Sequence, residues 1–252
     1  MSERAHLSFA MRHRQGALVF DAAFELAQPW TVLFGPSGSG KTTVLRAIAG
    51  LMRPAAGQIV LGCDTPRVLF DRAVGIDMPA HRRGVRLAAQ VATLFPNMTV
   101  RENIAYGVPG DATEVVEETL QRFHLDRLSE AMPWKLSGGE RQRAAVARAV
   151  ASAITLKDSG LLLLDEPFAG LDLRLRDDLL GDLRSWLAST HTPVLSVTHD
   201  VGEAFQLGAE VIKFDDGRVL RQGPVEAVLA EERERLLDQL SRKDMQGEFK
   251  SL

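Results

Sequence analysis

One cysteine, Cys63, in 252 residues leaves no internal disulfide framework and no cysteine-based zinc site, and it fits a reducing compartment. No apolar run approaches the ~20 residues that a membrane helix requires, and Glu3, Arg4 and His6 precede any apolar stretch. Neither a span nor a signal peptide is therefore expected, so any membrane association should come through a partner. Charge of neither sign dominates: 30 basic and 33 acidic residues are interspersed for a net −3, with no basic stripe to suggest nucleic-acid binding. Internal repeats and low-complexity segments are also missing. A chain of this length can bury one substantial core, or a core and a smaller lobe.

What the chain does have is GPSGSGKTT, Gly35 to Thr43, between an apolar strand at Trp30 to Phe34 and a helix at Val44 to Leu51. Gly35, Gly38 and Gly40 allow positive φ and close backbone approach. The loop Gly35-Pro36-Ser37-Gly38-Ser39-Gly40 can thus turn successive N–H groups toward phosphate oxygens beside a helix N-terminus. Lys41 adds a cation and Thr42 a hydroxyl for Mg²⁺, and Thr43 closes the phosphate-binding run. The motif predicts nucleotide binding.

Strand-like runs at Leu18 to Leu26, Trp30 to Phe34, Leu161 to Asp165, Val194 to Thr198 and Val211 to Phe214 alternate with helical periods, the pattern of a parallel sheet covered by helices. Apolar residues between Asp172 and Thr190 follow helical spacing, placing Leu175, Leu179, Leu183 and Trp186 in the core. From about Gln90 to Lys135 there is no strand signal, but helical runs fall at Val100 to Tyr106 and Thr113 to Phe123, which reads as a helical lobe inserted into the core. A closing helix is expected after Pro224, and Ser241 to Leu252 is a polar, loose tail.

Two further elements carry chemistry. LLLLDEP, Leu161 to Pro167, delivers adjacent carboxylates at a strand's C-terminal end, where Asp165 can hold Mg²⁺ and Glu166 can orient or deprotonate an attacking water. Alternation along a strand points the two side chains different ways, so they can take different jobs. LSGGERQR, Leu136 to Arg143, opens a second helix with Ser137 as its N-cap and Gly138 and Gly139 following, running to about Ser152. Read alone it is an ordinary cap; beside a complete phosphate loop, a second glycine-rich helix end invites a composite site across a dimer.

Together GPSGSGKTT, LSGGE, LLLLDEP, AGLD at Ala169 to Asp172 and THD at Thr198 to Asp200 resemble, in order and approximate spacing, the ATP-binding subunits of ABC transporters. The resemblance covers most of the chain and implies an α/β fold: a P-loop NTPase (RecA-like) core with an antiparallel β edge and an inserted helical subdomain. Its implied bounds are one domain over 1–240, with the core at about 1–89 and 153–240 and the helical subdomain at about 90–152. The family's pattern makes Gln90 the switch-loop glutamine that touches Mg²⁺ and senses the γ-phosphate, and His199 the switch histidine. Ser137, Gly138, Gly139 and Glu140 would contact ATP held by a second copy. The implied cofactors are ATP and Mg²⁺. The implied partners are a second copy, an integral-membrane permease and, indirectly, an extracytoplasmic solute-binding protein, with the chain peripheral on the cytoplasmic face of the membrane. Leu94, Phe95 and Pro96 either line the groove for a transmembrane coupling helix or pack within the helical lobe.

The run LFDRAVGIDMPAHRRGVRLAAQVATLFPNMTVRENIAYGV looks most like the molybdate-import ATPases, while sulfate, iron, polyamine or another small solute stay open. Longer relatives carry a C-terminal regulatory domain, which this chain is expected to lack. It also departs from the family pattern. The aromatic residue expected to stack on adenine falls near His13 and Arg14, leaving His13, Phe9 or Phe20 as substitutes. Ala149 to Gly160 is longer than usual, predicting a surface bulge, and Glu140 replaces a common glutamine. A repair-type ATPase would place a long coiled coil between loop and signature, and none is visible. A binding module that had lost hydrolysis should lack Glu166 or His199, and both stand in place.

Overall fold

The computed structural model describes residues 6–63, 65–110, 112–156, 160–208 and 210–238. Its central layer runs in the order β10-β3-β9-β8-β7, all parallel: β3 (Trp30–Phe34), β7 (Val85–Ala88), β8 (Leu161–Asp165), β9 (Val194–Thr198) and β10 (Glu210–Asp215). β11 (Arg218–Pro224) pairs antiparallel on the β10 edge. A second, antiparallel sheet has the order β2-β1-β4-β5-β6, built from β1 (Leu7–Gln15), β2 (Leu18–Leu26), β4 (Ala56–Leu61), β5 (Arg67–Asp71) and β6 (Ile76–Asp77). The helices are α1 (Lys41–Ala49), α2 (Val100–Ala105), α3 (Thr113–Arg122), α4 (Gly138–Ile154), α5 (Leu173–Ser189), α6 (Val201–Leu207) and α7 (Val225–Val228), followed by helical turns over 230–238.

The apolar runs of β3, β8 and β9 are buried along their whole length because both faces of the central sheet are covered. Their side chains alternate between two cores. Val32, Leu162 and Leu164 meet α4 and α5 on one face, while Leu33, Leu163 and Leu195 meet α1 and the antiparallel sheet on the other. Truncating any of these leucines to alanine should cost about 2–5 kcal/mol. Ala144, Ala147 and Ala151 of α4 are fully buried, and their small side chains let the helix lie close to α2, β7 and β8. Trp30 keeps its indole N–H satisfied by donating to Ser196 Oγ across the β3–β9 pair at 2.9 Å.

The strands expected at Leu18–Leu26, Trp30–Phe34, Leu161–Asp165 and Val194–Thr198 have those limits, and Val211 to Phe214 lies inside β10. No described residue between Gln90 and Lys135 is in a strand, and α2 and α3 fall on the two helical runs. Three expectations need correction. Leu175 is only half-buried, against its fully buried neighbours Leu179, Leu183 and Trp186. Residues 149–154, expected in a surface bulge, instead continue α4 with Ala149, Val150 and Ala153 buried; residues 157–159 of that segment lie outside the described residues. The helix after the glycine loop, α1, starts at Lys41, not Val44, and is capped by Gly50 in the left-handed conformation. The tail, 241–252, also lies outside the described residues.

Candidate functional site

Parallel strands end together, so the loops after β3, β8 and β9 meet at one edge of the sheet. After β3 the chain must pass beneath β10, and a Cβ on Gly35 would lie 1.9 Å from the Phe214 carbonyl oxygen, so the first glycine is there for close approach. Gly38 and Gly40 have φ +83° and +101°, and a Cβ on Gly40 would meet the Phe20 ring at 2.4 Å. Gly40 is the N-cap of α1 and supplies no side-chain cap, which leaves the first-turn N–H groups without a side-chain acceptor. Ser39 Oγ is buried with no hydrogen-bond partner. This loop therefore carries unspent donors beside the positive end of a helix.

Lys41 is 5% exposed and its ammonium donates to the carbonyls of Gly35 and Pro36, each at 2.7 Å. Burial pulls its pKa below the ordinary lysine value, while Glu166, Asp165 and Asp215 pull the other way. Thr42 Oγ1 donates to Asp165 Oδ2 at 2.9 Å. Burial pushes the Asp165 carboxyl above the ordinary aspartate value, with the Thr42 hydrogen bond opposing.

Glu166, one residue past the end of β8, has φ +47°, a costly conformation for a residue with a side chain. Its N–H donates to Val197 of β9 at 3.1 Å, which holds that turn in place. Both carboxylate oxygens are engaged: Gln90 Nε2 donates to Oε2 at 3.2 Å, and His199 Nδ1 lies 3.1 Å from Oε1. An ionised carboxylate only accepts, so in that pair Nδ1 carries the hydrogen. A cavity of ≈ 360 Å³ collects these groups, with Ser37, Gly38, Gly40, Lys41, Thr42 and Thr43 on one side and Gln90, Asp165 and Glu166 on the other.

Ser137, Gly138, Gly139 and Glu140 do not line this cavity. Ser137 Oγ accepts from the Glu140 N–H, and the Glu140 carboxylate accepts from the Ser137 N–H at 2.7 Å, a reciprocal cap that opens α4. That hydrogen bonding holds the Glu140 carboxyl below its ordinary pKa. Ser137 and Gly138 are exposed, and Gly139 sits where a Cβ would touch Leu171 at 2.9 Å.

The base-stacking substitutes fare differently from expectation. Phe9 stacks on Phe24 at 4.7 Å inside the core, Phe20 is buried under Gly40, and half-buried His13 is not part of the cavity wall. The wall at that end is Gln15 and Leu18, with Thr43 Oγ1 donating to Gln15 Oε1 at 3.1 Å. Sequence reasoning missed both, because only the β1–β2 pairing brings the turn at Gly16 alongside Thr43. In the segment after Gln90, Leu94 packs against the core, Phe95 is half-buried between Tyr106 and the Arg148 guanidinium, and Pro96 is exposed. Asn103 ties the loop down by donating to the carbonyls of Phe95, Met98 and Thr99.

Known proteins share this arrangement of sequence. The chain is 40% identical over 221 residues to the molybdenum import ATP-binding protein ModC of Mesorhizobium japonicum, covering 86% of this chain and 58% of that protein. It is 39% identical over 228 residues to its namesake in Rhodospirillum rubrum, covering 89% and 60%. The chain thus spans about three fifths of the length of the curated relatives it matches. Among solved structures, the dimeric ATP-binding cassette MJ0796 in a post-hydrolysis state with ADP and Pi superposes with TM-score 0.70 at 24% identity, over 87% of this chain and 98% of that one. CbiO1 from Clostridium perfringens, part of the ABC transporter complex cbiONQ, gives 0.73 at 22%, over 98% and 100%. At these identities the structural likeness speaks for the fold alone. The model of the family described as ABC transporter matches residues 23–169, a stretch that holds the glycine loop, the LSGGE helix start and the acidic end of β8, and the chain belongs to that family.

Proposed function

We propose that this chain is the ATP-hydrolysing subunit of an importer whose cargo is molybdate or a related oxyanion. The observation that carries the reading is Glu166, held over a glycine-lined cavity by Gln90 on one oxygen and His199 on the other. Phosphoryl transfer asks a protein mainly for positioning and charge. In this reading Lys41 and the uncapped start of α1 hold the triphosphate, Glu166 orients or deprotonates the attacking water, Gln90 senses the γ-phosphate, and His199 positions the γ-phosphate and water.

The residues fit Mg²⁺. Among the described residues no three His, Cys, Asp or Glu side chains could hold a metal by themselves. Thr42 and Asp165 instead offer one hydroxyl and one carboxylate, the sparse protein share that Mg²⁺ accepts when phosphates and water complete its shell, with Gln90 as a further contact. When bound, the ion neutralises charge on the β- and γ-phosphates.

Ser137 and Gly138 are exposed and outside their own chain's cavity, so a second copy closing head to tail would bring its LSGGE end to this loop. ATP binding the closed pair more tightly than the open one is what lets the nucleotide drive closure. The helical segment over about 90–152 would pass that motion, through Leu94, Phe95 and Pro96, to a permease fed by an extracytoplasmic solute-binding protein. No described helix is long and apolar enough to cross a membrane; the peripheral place on the cytoplasmic face belongs to the proposed assembly with the permease. The names of the molybdenum-import relatives support the cargo. The test is ATP turnover by the chain assembled with its permease and binding protein, with molybdate or sulfate supplied. Turnover stimulated by molybdate and lost in Glu166→Gln is expected; stimulation by sulfate alone would replace the cargo, and full turnover in the variant would remove the carboxylate's role.

A further inference from the structure

Behind the Glu166–His199 pair lies a second cavity of ≈ 190 Å³, between the turn carrying Phe168 and Leu171 and the turn Thr198 to Asp200. Glu203, in the first turn of α6, forms part of its wall and is only 6% exposed. Its Oε2 accepts from Thr198 Oγ1 at 3.0 Å, and its Oε1 is buried with no hydrogen-bond partner. The same Thr198 hydroxyl accepts from the Asp200 N–H at 3.0 Å, and Asp200 Oδ1 accepts from the Glu203 N–H at 3.0 Å. Arg176 of α5 secures the other Asp200 oxygen at 2.8 Å. These bonds form a closed ring from Glu203 through Thr198 and Asp200 back to Glu203, and His199 is the residue the ring pins by both neighbours. A hydroxyl has one proton to give; Thr198 gives it to Glu203, so without that acceptor the turn aiming His199 at Glu166 loses a fixed point.

We infer that Glu203 is a positioning residue for His199, acting through the Thr198 hydroxyl to hold the imidazole where it meets Glu166. The inference rests on reading His199 as a contact to the γ-phosphate. Burial pushes the Glu203 carboxyl up to about 7, with Asp200 and Glu166 adding to the rise while the Thr198 hydrogen bond and Arg176 oppose it. The groups facing it are thus Arg176 from α5, Asp200 and His199 from its own turn, and Glu166 from the end of β8. In the neutral form the proton sits on Oε1, the oxygen that Thr198 does not engage. Ionised, Glu203 becomes a third anion beside Glu166 and Asp200, close to where a γ-phosphate must be accepted, and repulsion lowers turnover.

The test is steady-state ATP hydrolysis by the full chain across about pH 6 to 9, for wild type, Glu203→Ala, Glu203→Gln and Thr198→Val. Glu203→Ala and Thr198→Val are each expected to lower kcat about tenfold with KM for ATP little changed, and the double variant to lose no more than either. The amide of Glu203→Gln still accepts from Thr198 and stays neutral, so it should restore most of kcat at about pH 6 and exceed wild type about threefold above pH 8. Imidazoles titrate in the same interval, so the ratio of variant to wild type is the readout rather than either curve alone. A ratio flat with pH, a Glu203→Gln as impaired at pH 6 as Glu203→Ala, or additive losses in the double variant would each overturn the positioning role while leaving hydrolysis intact. A wild-type chain that turns over no ATP in its assembled transporter would instead overturn the reading beneath it, and this role with it.

Discussion

Two helices in this protein begin with glycine-rich turns, α1 after Gly40 and α4 after Ser137, and they are built in opposite ways. Gly40 caps α1 from a left-handed conformation and offers no side chain, so no side-chain acceptor takes up the donors of the first turn beside the cavity. Ser137 and Glu140 cap each other at the start of α4, so that helix engages two of its first donors itself and turns an exposed face to solvent. The difference teaches where each helix start can meet an anion: α1 turns its donors into a cavity of its own chain, whereas α4 commits part of its first turn to its own cap and presents the rest outward, within reach of a second molecule only.

The comparison can be broken or sharpened by substitution. The largest effect is expected at the cavity of α1: Glu166→Gln should lower turnover about a thousandfold while keeping ATP affinity, and should trap an ATP-bound dimer visible by size-exclusion chromatography. A monomer hydrolysing at the wild-type rate would remove Glu166 from the chemistry. Next, Lys41→Ala should weaken nucleotide binding at least about a hundredfold by calorimetry, whereas Ser137→Ala should leave binding to the isolated chain unchanged. Equal losses would erase the contrast between the two helix starts. Gly35→Ala should destabilise by about 2 kcal/mol or more, because a methyl cannot fit against Phe214, while Gly138→Ala, with open space around it, should be near neutral in thermal unfolding.

Smaller effects separate the surrounding acids. Folded, Glu203 titrates at about 7 against an ordinary 4.5, so the folded chain holds a proton that the unfolded chain has lost between those values. Stability from this group therefore falls as pH rises through that window, and Glu203→Gln should gain about 1–2 kcal/mol on wild type between pH 5 and pH 8 in denaturant titrations. A constant difference would contradict the buried carboxyl. Glu140 has the opposite sign: its pKa is depressed by the cap, so its contribution is present above the unfolded pKa and lost as acid protonates it. Glu140→Ala should cost about 1 kcal/mol or less near neutral pH, and an unchanged melting temperature would mean that the reciprocal cap contributes nothing.

Order along the chain was enough to place β3, β8 and β9 residue by residue, because strands buried on both faces read as unbroken apolar runs bounded by breakers. It was also enough to single out Lys41, Thr42, Asp165 and Glu166 as candidates, each standing in a short local pattern, GPSGSGKTT or LLLLDEP. The half-exposed strands were harder to read: in β1 apolar residues alternate with Ser8, Arg12 and Arg14, and β7 is four residues long with Arg86 inside it. Packing alone chose Gln15 and Leu18 over Phe9 and Phe20 at the cavity wall, since strand pairing sinks both phenylalanines into the core. Packing also joined Gln90, Glu166 and His199, which lie up to 109 positions apart in number yet converge on one carboxylate. Local patterns specify which segments form and what each can donate; which donors meet depends on how parallel strands are ordered in the sheet, and that is a property of long-range burial.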